Sequence, residues 1–573
     1  MTALLHIENL SISFGRGQKA NPVVDGLNFS VQPGECVAVV GESGSGKSVT
    51  AFSVLGLTAF NGGRIDTGSI RFKRRNGQVV DLAKADEKTL RDIRGNEIAM
   101  VFQEPMTALN PVFTVGEQIA EVLRQHRGMD RAAANAKALD LITRVQINDP
   151  ARRFTQFPHE LSGGMRQRIV IAMALACSPR LLIADEPTTA LDVTIQAQVL
   201  DLMRDLAREE GMALLFITHD MGVVAEMADR VVVMRHGLKV EEQPVRSLFA
   251  QPRADYTKAL LQAVPRLGSM AGTSAPAPFG SDPRTTTSKP IGAPLLEVKN
   301  LSTWFPIHKG VIRRHVGDVK AVDDVSFSIA RGETLSLVGE SGSGKSTTGR
   351  SILRLAKPHA GQVLLEGQNI LALDVHAMRA RRRDMQIVFQ DPYAALDPRL
   401  DAFEQIVEPL VIHKIDSGSA LRDRAIDLVR RVGLDESHLE RYPHEFSGGQ
   451  RQRLCIARAL SLSPKLIIAD EAVSALDVSV QAQVVNLLIE LQQELGLSYL
   501  FISHDMGVVE RISHRVAVMR QGRIVEIGSR QQIFEAPEHA YTKALIAAVP
   551  TVDTSPIPSA QTAKLASASL EPV

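Results

Sequence analysis

The chain of 573 residues is 44% hydrophobic and carries a formal net charge of +1. Its length predicts several domains, about four at typical domain size, and the near-neutral charge provides no overall field that would attract nucleic acid or anionic lipid. Three cysteines are too few for a disulfide framework or a four-cysteine zinc site, and no apolar run reaches the roughly 18 residues of a membrane span.

The chain opens with a β-patterned segment, Leu5–Val31, followed by a short apolar run, Glu35–Val40, that predicts a buried strand. The next eight residues, Gly41–Ser48, contain the spaced glycines, the lysine and the hydroxyl residue of a phosphate loop. Helical spacing follows over Lys47–Leu57. Glycines permit positive φ, so successive backbone N–H groups can turn toward one anion, and the helix N-terminus adds partial positive charge. The sequence therefore predicts a phosphate site at this point.

The same eight residues recur after a second strand-like run, Glu333–Val338. The predicted phosphate-contacting residues are Gly41, Glu42, Ser43, Gly44, Ser45, Gly46, Lys47 and Ser48, and their counterparts Gly339, Glu340, Ser341, Gly342, Ser343, Gly344, Lys345 and Ser346. We expect the two lysines to reach the β- and γ-phosphates of a nucleotide and the hydroxyls of Ser48 and Ser346 to ligate Mg²⁺.

Internal repetition extends far beyond this loop. The pairs Ser162 and Ser447, Glu186 and Glu471, and His219 and His504 are each 285 residues apart, whereas the two loop lysines are 298 apart. The first copy therefore has 13 additional residues between its lysine and its Ser-Gly-Gly segment, mostly in the polar stretch Lys73–Lys84. A whole domain is duplicated in tandem, in contrast to a short solenoid repeat.

Each copy alternates strand-like and helix-forming segments, which favours an α/β core with a parallel sheet. Gly68–Phe72 and Gly361–Leu365 predict edge strands of an antiparallel lobe. The helix-rich segments Val115–His159 and Phe403–His444 predict a separate helical lobe in each copy.

Composition predicts the domain boundaries. Residues 1–266 and 294–550 are the expected domains, each ending in an extension. Residues 267–293 are rich in Ser, Thr, Pro, Gly and Ala and predict a flexible linker. Residues 551–573 have a similar composition and predict a disordered tail.

An acidic pair ends a strand-like run in each copy. Asp185 and Asp470 are expected to hold Mg²⁺, directly or through water, because a hard cation prefers oxygen ligands. Glu186 and Glu471, one residue later, are expected to face an attacking water as general bases.

Together these motifs resemble the ATP-binding subunits of ABC transporters, over nearly the whole chain apart from the linker and tail. The Ser-Gly-Gly segments are particular to that family, whereas a phosphate loop alone is shared with many unrelated NTPases. The resemblance implies two tandem P-loop NTPase domains of the ABC type, each with a RecA-like core, an antiparallel β lobe and a helical lobe.

Two further pairs of segments narrow the resemblance to one group. Phe102–Pro111 and Phe389–Pro398 look like the Q-loops of the dipeptide, oligopeptide and nickel importers. Tyr256–Leu261 and Tyr541–Ile546, each followed by Ala-Val-Pro, look like the C-terminal extension of that group.

The resemblance also implies roles for individual residues. Gln103 and Gln390 would ligate Mg²⁺ or orient water and report the nucleotide state to a membrane partner. His219 and His504 would contact the γ-phosphate.

Adenine would stack on Phe14 in the first copy and on Phe305 in the second, where Trp304 competes for the same role. These positions follow from the resemblance and from their place after Asn-Leu-Ser in both copies.

The Ser-Gly-Gly segments would form a second anion site, with serine as helix N-cap and free N–H groups beyond it. Their implied nucleotide-binding residues are Ser162, Gly163, Gly164, Ser447, Gly448 and Gly449. In the family the γ-phosphate is held between two domains, so we expect Lys47 to share one nucleotide with Ser447 and Lys345 to share the other with Ser162. The first copy has Met165 at the position where the second copy has Gln450, the commoner residue of the family's pattern. This difference removes no phosphate ligand.

The implied function is that of the ATPase subunit of a membrane importer for glutathione, dipeptides or oligopeptides, with ATP and Mg²⁺ as cofactors. Two integral-membrane permease subunits and an extracytoplasmic solute-binding protein would be its partners. The N-terminus lacks a secretory pattern, so we expect a peripheral protein on the cytoplasmic face of the inner (plasma) membrane that neither spans it nor binds nucleic acid. The alternative is a soluble tandem ABC ATPase acting on ribosomes or nucleic acid.

Overall fold

The computed structural model describes residues 3–15, 21–188, 191–282, 292–309 and 314–550. The described chain divides into two compact units, one running to Leu261 and joined by Pro550, the other comprising Gln262–Val549. The predicted tail, 551–573, lies outside the described residues. No helix in the described ranges combines the length and the apolar character needed to cross a membrane.

The first unit repeats the predicted alternation of strands and helices. Its described strands are β1 (Leu5–Phe14), β2 (Asn21–Val31), β3 (Cys36–Val40), β4 (Gly63–Lys73), β5 (Val79–Asp81), β6 (Ile98–Val101), β7 (Leu181–Asp185), β8 (Ala213–Ile217), β9 (Arg230–Arg235) and β10 (Leu238–Pro244). Its helices are α1 (Lys47–Val54), α2 (Glu87–Ile93), α3 (Pro105–Ala108), α4 (Val115–Arg127), α5 (Arg131–Arg144), α6 (Pro150–Phe154), α7 (Gly163–Leu175), α8 (Val193–Glu210), α9 (Met221–Met227), α10 (Val245–Ala250) and α11 (Asp255–Ala263), which crosses the division between the units.

The second unit has the same order of elements. Its described strands are β11 (Pro294–Lys309), β12 (Arg314–Ala330), β13 (Thr334–Val338), β14 (Ala360–Leu365), β15 (Gln368–Asn369), β16 (Met385–Val388), β17 (Leu466–Asp470), β18 (Ser498–Ile502), β19 (Arg515–Arg520) and β20 (Arg523–Ser529). Its helices are α12 (Lys345–Ile352), α13 (Val375–Arg381), α14 (Pro392–Ala395), α15 (Ala402–Ile412), α16 (Ser419–Arg431), α17 (Gly448–Leu460), α18 (Val478–Leu495), α19 (Met506–Ile512), α20 (Arg530–Glu535) and α21 (Ala540–Ala547).

Each unit has a mixed sheet at its centre. In the described part of the first unit the strand order is β10-β9-β3-β8-β7-β6, and in the second it is β20-β19-β13-β18-β17-β16. Among the described strands of these two central sheets, only β10 and β20 run antiparallel to their neighbours. Every residue of β3, β7 and β8 is buried, as parallel strands covered on both faces require. The predicted α/β class is confirmed.

A smaller antiparallel sheet accompanies each central sheet. Its order is β2-β1-β4-β5 in the first unit and β12-β11-β14-β15 in the second, counting described strands. The prediction that Gly68–Phe72 and Gly361–Leu365 form edge strands was wrong, because β4 pairs with β1 and β5, and β14 pairs with β11 and β15. A further short strand follows each of them and covers the exposed side. The β4–β5 hairpin extends to Asp81 and accommodates part of the additional residues of the first copy.

Local sequence determines where the helices of the predicted helical lobe begin and end. The Thr114 hydroxyl accepts a hydrogen bond from the N–H of Glu117 at the start of α4, and Gly128 at φ 63° ends that helix. In the second unit, Asp401 and Glu404 form a reciprocal capping box at the start of α15.

Part of the segment predicted to be a flexible linker packs against the second unit. Within residues 267–282, Met270 is 1% exposed and Ala277 is fully buried. The N–H of Phe279 donates to Oδ1 of Asn486 at 2.7 Å, and the Asn486 amide donates back to the Phe279 carbonyl at 3.2 Å. We call residues 267–282 the strap. Its small side chains let the backbone lie close to the helices beneath it. Residues 283–291 of the predicted linker lie outside the described residues.

A buried carboxyl group lies beneath the strap. Glu510, on α19, is 2% exposed, and its Oε1 accepts the N–H of Gly268 at 3.1 Å. Burial raises the pKa of Glu510 to about 7, although the positive charges of Arg530 and Arg511 act in the opposite direction. Arg530 also donates to the Thr273 hydroxyl at 2.8 Å, so Arg530 and Glu510 both bind the strap.

The raised pKa of Glu510 predicts a specific pH dependence of stability. The pKa of Glu510 is about 7 in the folded protein and 4.5 in the unfolded chain, so the folded state binds this proton more tightly. The stabilisation that comes from binding the proton is fully present below pH 4.5 and is lost as the pH rises to about 7. Glu510→Gln removes this titration, so the variant should gain stability relative to the wild type as the pH rises. The difference in free energy of unfolding, variant minus wild type, should be up to about 3 kcal/mol larger at pH 8 than at pH 5. Melting temperatures of both proteins across this range check the prediction, and a pH-independent difference would contradict it.

Candidate functional site

In the first unit, four parallel strands bring the predicted functional residues together. The phosphate loop follows β3, His219 follows β8, Glu186 follows β7 and Gln103 follows β6, and these strands are neighbours in the order β3-β8-β7-β6. Because the carboxyl ends of parallel strands meet at the same edge of a sheet, residues far apart in sequence converge there. The order β13-β18-β17-β16 produces the same convergence in the second unit.

The phosphate loop has a backbone that only glycine can form at its first position. Gly41 has φ 151°, and a Cβ there would lie 2.2 Å from the carbonyl oxygen of Met234. The corresponding distance from Gly339 to the Met519 carbonyl oxygen is 2.1 Å. At the other end of the loop Gly46, at φ 96°, precedes the first residue of α1. The loop therefore curls tightly into the start of a helix, as an anion cradle requires.

The loop lysine is buried and directed back over its own loop. Nζ of Lys47 donates to the carbonyl oxygens of Gly41 at 2.8 Å and Glu42 at 2.9 Å. Lys345 makes both bonds in the second unit, at 2.7 and 2.8 Å. The lysines are 6% and 4% exposed. Each ammonium group is thus fixed where the phosphates of a nucleotide are predicted.

A hydroxyl and a carboxylate meet beside each loop. Ser48 Oγ donates to Asp185 Oδ1 at 3.0 Å, and Ser346 Oγ donates to Asp470 Oδ1 at 2.6 Å. Burial raises the pKa of Asp185 to about 6, against the hydrogen bond from Ser48. Burial likewise raises the pKa of Asp470. A buried pair of hard oxygen atoms is suited to a divalent cation, whose charge would compensate for the desolvated carboxylate.

Among the described residues, no three His, Cys, Asp or Glu side chains cluster as a metal site. The predicted magnesium ligands are thus one hydroxyl and one carboxylate in each unit. Magnesium ordinarily takes one or two protein ligands and completes its shell with substrate phosphates and water. The donor set thus fits Mg²⁺ bound together with a nucleotide.

Glu186 has an uncommon backbone conformation at the end of β7. Its φ is 47°, and its N–H donates to the carbonyl of Ile217 on the neighbouring strand at 2.9 Å. Its carboxylate accepts Nε2 of Gln103 at 2.9 Å and lies 3.0 Å from Nδ1 of His219. A left-handed glutamate is strained, and such strain persists where the surroundings hold it. The conformation aims the carboxylate at the strand edge where the other groups meet.

The second unit has the same arrangement around Glu471, whose φ is 48°. Gln390 Nε2 donates to Glu471 Oε2 at 2.8 Å, and His504 Nδ1 lies 3.5 Å from that oxygen. Burial alone would raise the pKa of Glu471, but His504 and Lys345 hold it below its ordinary value. Burial would lower the pKa of His504, but the hydrogen bond and charge of Glu471 raise it. These neighbours favour the ionised form of Glu471, the form that the predicted general base requires.

The two sites differ in one charge. Arg350 Nη2 lies 3.7 Å from Asp470 Oδ2 in the second unit. The corresponding residue of the first unit, by the 298-residue offset, is Phe52, whose ring lies 6.4 Å from that of Phe102. An arginine beside the predicted cation ligand makes the second site more positive than the first.

The Ser-Gly-Gly segments cap the helices α7 and α17. Ser162 accepts the N–H of Met165 at 3.3 Å. In the second unit Gln450 N–H donates to Ser447 at 3.3 Å, and the Ser447 N–H donates back to Gln450 Oε1 at 3.0 Å. Met165 cannot return this bond, so only the second copy has the reciprocal cap.

The two glycines of each segment have different surroundings. A Cβ on Gly164 would lie 2.6 Å from Ile195, and one on Gly449 would lie 2.2 Å from Val480. A Cβ on Gly163 would meet nothing within 4 Å. The second glycine is therefore required by packing on the following helix, whereas the first leaves an exposed helix N-terminus accessible to a ligand.

The predicted adenine-stacking aromatics lie at corresponding strand positions with different exposure. Phe14 packs against the core of the first unit, where a Cβ on Gly63 would lie 2.8 Å from its ring. Phe305 is 45% exposed. Trp304 stacks on His359 with ring centroids 4.1 Å apart and lies under Lys320. Phe305 therefore has the more accessible ring, and the choice between it and Trp304 stays a prediction.

Sequence reasoning missed one contact of the phosphate loop. The Oη atoms of Tyr256 and Tyr541, in the C-terminal extensions, accept the N–H groups of Glu42 at 3.3 Å and Glu340 at 3.1 Å. The repeated Tyr-Thr-Lys-Ala-Leu segment was visible in the sequence, but its distance from the loop gave no indication of contact.

Comparisons with known proteins agree with this geometry. The model of the ABC transporter family matches residues 24–189 and 322–474. The model of the oligopeptide/dipeptide transporter C-terminal region matches residues 240–292 and 525–569. The chain is 55% identical to the glutathione import ATP-binding protein GsiA of Pectobacterium atrosepticum and 53% identical to that of Escherichia coli K12. Both alignments cover 96% of this chain and 90% of the relative.

The glycine environments predict opposite effects of two alanine substitutions in the second unit. Gly339→Ala places a Cβ 2.1 Å from a backbone oxygen and should lower the free energy of unfolding by about 1–3 kcal/mol. Gly448→Ala is the matched control, because its nearest neighbour would be 3.8 Å away, and it should leave stability unchanged or raise it by up to about 1 kcal/mol. Urea denaturation distinguishes them, and equal losses would contradict the structure.

Proposed function

Because the chain belongs to the ABC transporter family of ATP-binding proteins, we propose that it hydrolyses MgATP at two sites and thereby energises a membrane importer for peptides, with glutathione as the foremost substrate. The observation that carries this proposal is the duplicated cluster in which a phosphate-loop lysine, a serine–aspartate pair and a glutamate held by glutamine and histidine share one sheet edge. The match to the oligopeptide/dipeptide transporter C-terminal region favours import over the alternative of a soluble ATPase acting on ribosomes or nucleic acid.

The chemistry assigned to each site needs little beyond positioning and charge neutralisation. The loop N–H groups and Lys47 or Lys345 would hold the phosphates, and the Ser48–Asp185 or Ser346–Asp470 pair would hold Mg²⁺. Water attacks the γ-phosphorus, the bond to the bridging oxygen breaks, and the water proton passes to the glutamate carboxylate.

The glutamine and histidine would serve as positioning and sensing groups around that glutamate. Gln103 is exposed, yet its amide is bonded to Glu186, so a change at the γ-phosphate would be transmitted to the Q-loop surface. His219 shares the same carboxylate and would lie against the γ-phosphate. This linkage is the proposed route by which nucleotide state reaches the membrane partner.

We assign the exposed N-termini of α7 and α17 to the γ-phosphate as well, through the Ser162 and Ser447 segments. Support comes from the open space at Gly163 and from the 13-residue length of each helix, because an exposed helix N-terminus attracts anions.

A groove on the first unit that lies next to exposed apolar side chains is the proposed docking site of a permease subunit. Val112 is 70% and Phe113 50% exposed, directly after the Q-loop. They adjoin an open cavity of about 660 Å³ lined in part by Pro111, Arg152 and Phe157. Exposed apolar side chains that cluster beside a groove are typical of an interaction surface. The protein would then be a peripheral component on the cytoplasmic face of the membrane, supplied with substrate by an extracytoplasmic binding protein.

Replacing both proposed general bases tests the ATPase assignment. Glu186→Gln with Glu471→Gln should lower ATP turnover by about 10²- to 10⁴-fold while ATP still binds, because the amide cannot accept the water proton. Glu209→Gln, at a side chain that is 63% exposed, is the matched control and should retain activity. Undiminished turnover in the double variant would refute the assignment.

A single charge beside the groove tests the docking site. Phe113→Asp should weaken co-purification of the permease subunits from detergent extracts by at least about tenfold, because a desolvated aromatic anchor is replaced by a carboxylate. Leu238→Asp, on an apolar residue that is 51% exposed elsewhere on the same unit, should not. Equal recovery of permeases with both variants would exclude the groove.

Uptake tests the substrate. Cells that lack their own glutathione importer and express this chain with its co-purifying permeases and binding protein should accumulate labelled glutathione, and Lys47→Ala with Lys345→Ala should abolish that uptake. Uptake of labelled dipeptides without glutathione would reassign the substrate within the peptide class.

A further inference from the structure

The C-terminal extension of each copy reaches into the nucleotide site of its own unit. In the first unit the N–H of Glu42 donates to Oη of Tyr256, and the carbonyl of Gly41, which belongs to the same peptide unit, accepts Nζ of Lys47 at 2.8 Å. One peptide unit of the loop is therefore held at both ends, by a tyrosine hydroxyl on one side and by the loop lysine on the other.

The tyrosine is itself held in place from two directions. The Arg235 guanidinium lies over its ring, 4.7 Å from the centroid, which favours a fixed ring plane. The carboxylate of Glu241, on β10, accepts the N–H groups of Arg253 at 2.8 Å and Ala254 at 3.0 Å. Glu241 thus anchors the turn from which α11 and its tyrosine begin.

The second unit repeats every part of this arrangement, with the loop at the 298-residue interval and the tyrosine, arginine and anchoring glutamate at the 285-residue interval. Glu340 N–H donates to Tyr541 Oη at 3.1 Å, and Arg520 lies over the Tyr541 ring at 4.9 Å. The Glu526 carboxylate accepts the N–H groups of Glu538 at 2.8 Å and His539 at 3.2 Å. The tyrosine contacts the loop at corresponding positions in both copies although the flanking sequences differ, which indicates a specific contact of the fold.

We propose that Tyr256 and Tyr541 are positioning residues of the two nucleotide sites. Each hydroxyl fixes the loop peptide whose carbonyl accepts the lysine ammonium, so that the loop is preorganised before nucleotide binds. Neither tyrosine touches the reacting atoms. The extension therefore controls nucleotide affinity more than the chemical step, which depends on Glu186 and Glu471. This inference rests on the proposed ATPase function.

The first test needs no nucleotide. Tyr256→Phe removes the hydroxyl and keeps the ring beneath Arg235. Hydrogen–deuterium exchange with mass spectrometry should show faster exchange in peptides covering residues 41–48 and unchanged exchange in those covering 339–346. Tyr541→Phe should give the reverse pattern. The different flanking residues separate the two sets of peptides.

The second test measures affinity at one site at a time. In a Lys345→Ala background, which weakens the second site, Tyr256→Phe should raise the dissociation constant of fluorescent mant-ADP about threefold to tenfold, the effect of one lost hydrogen bond. Tyr541→Phe in the same background should not change it. The double tyrosine variant with both lysines intact should show a raised KM for ATP with kcat within about twofold of the wild type.

Tyr442→Phe, at a tyrosine that is 43% exposed, is the control for loss of a hydroxyl. A lower melting temperature with unchanged loop exchange, KM and mant-ADP affinity would overturn the proposal and leave the tyrosines as structural residues only. Wild-type protein that neither binds mant-ADP nor hydrolyses ATP would instead overturn the proposed function, so the two failures are distinguishable.

Discussion

The parallel order of four strands is the constraint on which each site depends. Because β3, β8, β7 and β6 are neighbours that run the same way, a loop, a histidine, an acidic pair and a glutamine reach one edge without any direct sequence proximity. Hydrogen bonds across that edge then set their geometry. The strained backbone of Glu186 is held by the N–H that it donates to Ile217 on β8, so the orientation of the proposed base depends on the pairing of the sheet itself.

The two copies are more alike in the geometry of the predicted functional residues than in the residues around them. Both glutamates adopt the left-handed conformation, and both lysines bond to their own loops. Around these groups the copies diverge: Arg350 adds a positive charge beside Asp470, and Ser447 has a reciprocal cap that Ser162 lacks. Two sites with the same machinery and different local charge are suited to the same reaction at unequal rates, since phosphoryl transfer responds strongly to electrostatics.

The sequence was most informative where chemistry demands particular residues at fixed spacing. The phosphate loops, the α/β class and the duplication follow from glycine, lysine and the 285-residue interval. Pattern alone could not locate contacts made by distant segments. The tyrosine of the extension meets the loop more than 200 residues away, and the strap gains its order from buried partners such as Glu510, which its own composition does not reveal. The edge-strand prediction was wrong for a related reason, because the pairing partners of a strand, and not its local sequence pattern, decide whether it lies at the edge of a sheet.

The proposed mechanism places the γ-phosphate between the phosphate loop and the glutamate in both units. Photocleavage of the chain after trapping with MgADP and orthovanadate tests it most directly, because vanadate occupies the place of the transferred phosphate and cleaves the backbone beside it. Fragments identified by mass spectrometry should end within residues 41–48 and within residues 339–346. Cleavage confined to segments outside these loops, under conditions in which the untreated protein hydrolyses ATP, would contradict it.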